Sequence, residues 1–149
     1  MKTKPKTIDH KGYVIPTGKR PKNRKEREKI ITHFYKNWLN GSTEKSVKNL
    51  SLNKLIHVNR DSFLETRYWG SRSYQSTLTV LELSYVLKNA VVTGKNNPKP
   101  GNKNQSKFTK MLIMECVVPK LRPHVTTGKL TVGIRKSDNQ RLQYCLTAK

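Results

Sequence analysis

The run Met111-Leu-Ile-Met-Glu-Cys-Val-Val118, closed by Pro119, constrains the fold more than any other segment of the chain. It is short, apolar but for Glu115, and rich in strand-forming residues, which predicts a β-strand covered on both faces. Pro119 has no amide hydrogen to give a ladder and ends it. A strand needs partners, and the sequence supplies them downstream. Leu130, Val132 and Ile134 alternate, Ser137–Gln140 turns the chain, and Leu142, Tyr144 and Leu146 alternate again, so residues 129 to 147 are expected to form a hairpin. On that pattern Tyr144 shares a face with Leu142 and Leu146 and reads as core.

Upstream the period changes. Ile31, Phe34, Tyr35 and Trp38 fall at i, i+3, i+4 and i+7 and predict an amphipathic helix over 24–39, stopped by Asn40-Gly41. Residues 42–53 read as a polar connector and 55–59 as a short strand with Ile56 and Val58 on one face. Residues 61–69 read as a turn of helix or irregular structure. Leu78 to Val91 is apolar around most of its circumference and predicts one largely buried helix, with Ser71 or Ser73 as its cap. Residues 94–107 hold Gly, Pro, Asn and Lys without an acid or a large apolar side chain, the composition of a flexible basic loop. Helices first and consecutive strands after predict an α+β domain over 24–149, its helices on one face of a small antiparallel sheet. Residues 1–23, with seven Lys or Arg and little apolar content, read as a flexible basic arm.

Charge bears on partners. The 149 residues carry 31 Lys and Arg against 9 acids, a formal net charge of +22 that repels itself and calls for a polyanion. Nucleic acid is the expected partner, because phosphates neutralised by basic side chains release their condensed counterions. Arg60, Lys95, Lys99, Lys103, Lys107 and Lys129 are the expected contacts. Apolar stretches fall short of the roughly 20 residues of a membrane helix, and the first residues lack the apolar core of a signal peptide. The expectation is a soluble, cytoplasmic chain without a membrane partner. Cys116 and Cys145 are too few for a disulfide framework, and no ligand spacing suggests zinc or another cofactor.

P-loop, dinucleotide-binding and nucleophile-elbow motifs are absent. Asp61 and Glu65, at i and i+4, make a local helix pair rather than a two-metal carboxylate cluster. RNA cleavage without a metal asks for less, since the substrate's own 2′-OH is the nucleophile and a base, an acid and a cation suffice. Two patches offer those groups: His57, Arg60, Arg67 and Arg72 in the first half, and His124, Thr126, Thr127, Lys129 and Tyr144 in the second. The plainer reading of His57 is a hydrogen-bonded strand histidine, and of His124 a loop residue.

The succession HVNRDSF, the arginines to Arg72, SYQSTLTVLELSYVLKNAVV, a basic loop, an apolar strand and a terminal hairpin resembles the phage-associated and polymorphic-toxin branch of the barnase, EndoU, tRNA-cleaving colicin and RelE superfamily, over residues 54–147. The resemblance implies helices followed by a curved antiparallel sheet, and a metal-independent ribonuclease toxin acting on RNA, tRNA among the substrates. It also implies an acidic immunity or antitoxin partner, and delivery into a target-cell cytoplasm. By the resemblance His57 or His124 is general base or acid, Arg67 and Arg72 hold the scissile phosphate, and Ser76, Thr127 or Tyr144 orients it. The competing expectation is a non-catalytic RNA- or ribosome-binding protein.

Overall fold

The computed structural model describes residues 7–149. Along the chain run β1 (Thr7–His10), β2 (Tyr13–Pro16), α1 (Pro21–Leu39), β3 (Glu44–Asn49), β4 (Lys54–Asn59), α2 (Arg60–Gly70), α3 (Tyr74–Val80), α4 (Leu83–Asn89), β5 (Val91–Asn96), β6 (Phe108–Val117), β7 (Thr127–Arg135) and β8 (Arg141–Ala148). The protein is α+β. β1 and β2 pair only with each other, and the remaining strands form one sheet in the order β3-β4-β8-β7-β6-β5. The sheet is mixed rather than antiparallel throughout, because β8 enters between β7 and β4 and runs parallel to β4. That parallel ladder is short, Ile56 opposite Arg141 and His57 opposite Leu142. Beyond it α2 packs along β8 in place of β4, with Gly70 close enough that an added Cβ would lie 3.5 Å from the Leu146 carbonyl.

Helix α1 forms where its apolar spacing predicts, starts three residues early at Pro21, whose missing amide hydrogen costs nothing in a first turn, and ends at Asn40 in the left-handed region. Its Ile30, Ile31 and Tyr35 join Leu78, Val80, Leu81, Leu83, Val86 and Leu87 of the next helical segments. With Ile56, Val58, Leu112, Met114, Leu130, Val132 and Leu146 from the strands they form the main core.

Five expectations are corrected. Part of the supposed arm is the β1–β2 hairpin, held because Ile15 is fully buried in the core and because His10 and Lys11 meet Glu82; residues 1–6 lie outside the described residues. The polar connector contains β3, a sheet-edge strand whose exposed side chains need no apolar alternation. The single helix over 78–91 is two, α3 and α4, parted at Leu81–Glu82. There the buried Glu82 carboxylate lies 2.8 Å from His10 Nε2 and 3.2 Å from Lys11 Nζ, and Lys11 also donates to the Leu81 carbonyl. β6 is covered on both faces only at its start, where Met111 and Leu112 are both buried; beyond it Met114 and Cys116 are buried while Ile113 and Glu115 are partly exposed and Val117 is exposed. Residues 97–107 are a strap rather than a free loop: Asn104 donates to Glu65, Lys107 pairs with Asp61, and the buried Gln105 accepts from the Lys99 amide.

The hairpin is antiparallel as predicted, but it carries a bulge. Leu130 faces Leu146 and Thr131 faces Cys145, whereas Val132 faces Gln143, leaving Tyr144 as the extra residue. A one-residue slip exchanges faces. Leu146 and Gln143 therefore point into the main core, where Gln143 accepts from Tyr35 Oη and donates to Thr66 Oγ1. Leu142 instead joins Phe108 and Met111 in a second small cluster, against which Tyr144 packs. Phe108 lies flat on Gly133, where an added Cβ would meet its ring at 2.5 Å.

Candidate nucleic-acid interface

The sheet face away from the main core carries a groove of about 570 Å³. Its floor is Ile113, Lys129, Thr131, Cys145 and Thr147, and its walls are Glu65 and Trp69 of α2 and Lys99, Asn102 and Gln105 of the strap. Lys129 stands between Glu115 and Thr147 in the cross-strand register. Glu65 ties the wall together: its carboxylate accepts from Tyr144 Oη at 2.9 Å, Trp69 Nε1 at 3.2 Å and Asn104 Nδ2 at 3.1 Å. Burial and the neighbouring Glu65 push the Tyr144 phenol up to about 12, so it stays a neutral donor. Burial likewise pushes the Cys145 thiol up to about 12, which removes it as a nucleophile near neutral pH.

At the end of β8 a second hollow, of about 450 Å³, is lined by Ser73, Gln75, Ser76, His124, Thr126, Thr127 and Lys149. Four residues expected at a site thus meet here: His124, Ser76, Thr126 and Thr127. His124 is exposed, with the Tyr74 ring 6.3 Å away, edge to face; among the described residues its imidazole has no hydrogen-bond partner. Ser76 is committed to structure, since its Oγ accepts from the Ala148 amide at 3.0 Å while its own amide donates to the capping Ser73 Oγ. Lys149 donates to Glu115 at 2.8 Å, and that contact holds the Glu115 carboxyl below its ordinary range. The groove and the hollow adjoin, because Thr127 and Lys129 on β7, and Thr147 and Lys149 at the end of β8, are each one pleat repeat apart, about 7 Å.

The other expected residues are scattered. His57 is held at both ring nitrogens, Nδ1 3.4 Å from Glu44 and Nε2 3.3 Å from Gln140. It sits beside Leu142 at the start of β8 and His124 beside Ala148 at its end, a separation of about 20 Å at 3.3 Å per residue. The two histidines do not serve one phosphate. Arg67 lies over the Phe63 ring, in a hollow with Lys25, Lys29, His33 and Lys36 of α1, whereas Arg72 lies over Tyr68 and Trp69. Tyr144 belongs to the groove rather than the hollow. Lys99, Lys103 and Lys107 are on the strap and Lys95 and Arg60 are exposed at its two ends, Lys107 already paired with Asp61.

Sequence reasoning passed over Glu65 as an organising carboxylate and Trp69 and Lys149 as site residues. The signal for Trp69 was present, an aromatic pair between two arginines, Arg67-Tyr-Trp-Gly-Ser-Arg72. Comparison of the chain with protein-family models, with curated proteins and with solved structures gives no match.

Proposed function

We propose that the protein binds RNA across the sheet groove and cleaves it, without a metal, in the adjoining hollow, with His124 as the proton-transferring group. The observation that carries this reading is the exposed His124 imidazole, without a hydrogen bond among the described residues, beside Thr126, Thr127 and Lys149 at the end of a lysine-bearing groove. Histidine is the side chain that exchanges protons near neutral pH without special tuning. In the reaction His124 takes the proton of a ribose 2′-OH, the 2′-oxygen bonds to the neighbouring phosphorus, and the P–O5′ bond breaks. Water protonates the departing 5′-oxygen, leaving a 2′,3′-cyclic phosphate and a 5′-hydroxyl. Lys149, exchanging Glu115 for the phosphate, and the two threonine hydroxyls support the charge on the phosphoryl oxygens. From α2 to β8 three helices precede four strands, the order of the superfamily the sequence resembles, with its curved sheet, an acidic immunity or antitoxin protein as partner and a cytoplasm as the place of action. A net charge of +22 suits such masking.

The test is incubation of the protein with tRNA and total RNA in EDTA. The expected result is discrete fragments with cyclic phosphate ends, cut by about 10²-fold or more in His124→Ala and little changed in His57→Ala. Full activity in His124→Ala refutes the assignment. One observation favours a second reading, RNA binding without cleavage: His124 is the one histidine lining the hollow, and no Asp, Glu or second histidine lines it to act as the partner acid. Salt-dependent binding with no cleavage of any RNA by the wild type establishes that reading instead.

A further inference from the structure

Tyr68 and Trp69 are large aromatic residues on the molecular surface, 51% and 43% exposed, at the end of α2 where a folding argument would bury them. Their rings stand edge to face with centroids 5.0 Å apart. Two guanidinium groups attend them. Arg24, reaching from α1, lies 5.1 Å from the Tyr68 ring centre and donates to the Tyr68 carbonyl; Arg72 lies 5.8 Å from the Tyr68 ring and 5.1 Å from that of Trp69. The indole is held at its edge by the bond from Nε1 to Glu65, so its orientation is set before any ligand arrives. Trp69 is also a wall of the groove floored by Lys129 and Thr147.

We infer that Tyr68 and Trp69, with Arg24 and Arg72, form a platform on which unpaired nucleobases of single-stranded RNA stack, and that the protein therefore selects single strands over duplex. The inference rests on the RNA reading of the groove and adds to it a binding site and a substrate form. Aromatic faces accept any base, and only bases freed from a helix can reach them. The arginines lie over the same rings, so a base stacks on the exposed part of a ring or on the guanidinium plane above it, and the same cations attract the phosphates that link stacked bases. A duplex offers the platform only its backbone. An acidic protein offers charge without a row of π-faces, so charge matching alone does not account for two exposed rings.

The experiment uses Trp38→Phe in the full chain, which leaves Trp69 as the sole tryptophan; Trp38 lies far along α1, bonded to Ser84. Its emission is followed during titration with oligouridylate, with blunt duplex RNA of equal length, and with heparin, a polyanion without bases. Fluorescence anisotropy of labelled RNA reports binding independently. The expected result is saturable quenching of Trp69 by oligouridylate at the midpoint of binding, with little quenching by duplex or heparin. Trp69→Ala is expected to weaken single-strand binding by about 5- to 100-fold and duplex binding hardly at all. Single-strand binding that leaves Trp69 emission unchanged overturns the platform while leaving RNA binding in place, as does equal quenching by heparin. Equal weakening of both RNA forms in Trp69→Ala overturns it too. Absence of binding to either RNA overturns the groove reading itself. Should Trp69→Ala fail to fold, the quenching titration still decides.

Discussion

Arg27 is 1% exposed and has no carboxylate partner among the described residues; its guanidinium donates instead to three backbone carbonyls, of Ser71 at 2.8 Å, Pro16 at 2.7 Å and Gly18 at 2.8 Å. One side chain of α1 thus ties the end of the β1–β2 hairpin to the turn after α2 that leads into Arg72. Burial, together with the nearby Arg24, pulls its proton affinity below the ordinary guanidinium value. Replacing it by Met keeps the volume and removes the donors. The bond to Ser71 is buried and counts about 2 kcal/mol, and the two part-buried bonds about 1 kcal/mol each. Relief of the guanidinium's desolvation returns part of that about 4 kcal/mol, leaving a net loss of about 3 kcal/mol. Against a usual domain stability of about 5–15 kcal/mol this is large. Urea unfolding of Arg27→Met and Arg27→Lys measures it, with the lysine variant expected to recover about 1 kcal/mol through a single contact. Amide exchange should also quicken in residues 13–15 before it quickens in β6 and β7. A Met variant within about 1 kcal/mol of wild type, or a Lys variant equal to wild type, would refute the reasoning.

Two other predictions concern stability. Ile15→Ala should cost about 2–5 kcal/mol in chemical unfolding if the hairpin is part of the core, and nearly nothing if those residues were a solvated arm. The phenols of Tyr35 and Tyr144 are both raised, by burial first, Tyr144 to about 12. The native state therefore holds these protons more tightly than the unfolded chain does. That stabilisation is complete below the ordinary tyrosine value of about 10 and is lost as pH rises through the native values. Ultraviolet titration should show Tyr35 and Tyr144 forming phenolate only alongside unfolding. Simultaneous ionisation of all six near pH 10 in a folded protein would contradict the assigned environments.

What could be read without coordinates was whatever local pattern determines. Ile31, Phe34, Tyr35 and Trp38 gave α1, and the alternation at Leu130, Val132 and Ile134 gave β7, because burial on one face of an element writes its period into the sequence. β3 left no such mark, since it is a polar edge strand held by backbone pairing to β4. Nor did the break between α3 and α4. The side chains that hold Glu82 there are about seventy residues away, at His10 and Lys11. Tyr144 was misplaced by a single bulge, which no run of alternating letters reveals. The candidate site suffered most, because it depends on which strand ends lie together. Only the insertion of β8 between β4 and β7 shows that His57 and His124 stand at opposite ends of one strand, and that His124 shares its hollow with Lys149.

The place of β8 in the sheet has a consequence for how the molecule comes into being. Strands β3 and β4 form one ladder and β5 to β7 another, and β8 alone joins them. As the chain folds each half can pair internally, but the seam between them waits for residues 141–148. Long-range closure of this kind is slow, and until it happens the inner edges of β4 and β7 are open to other chains. Tyr144, Cys145 and Thr147 of the groove arrive on that same strand, with Lys149 just behind, so surface and fold are completed in one event. A chain whose sheet is still in two halves therefore has no groove and no hollow.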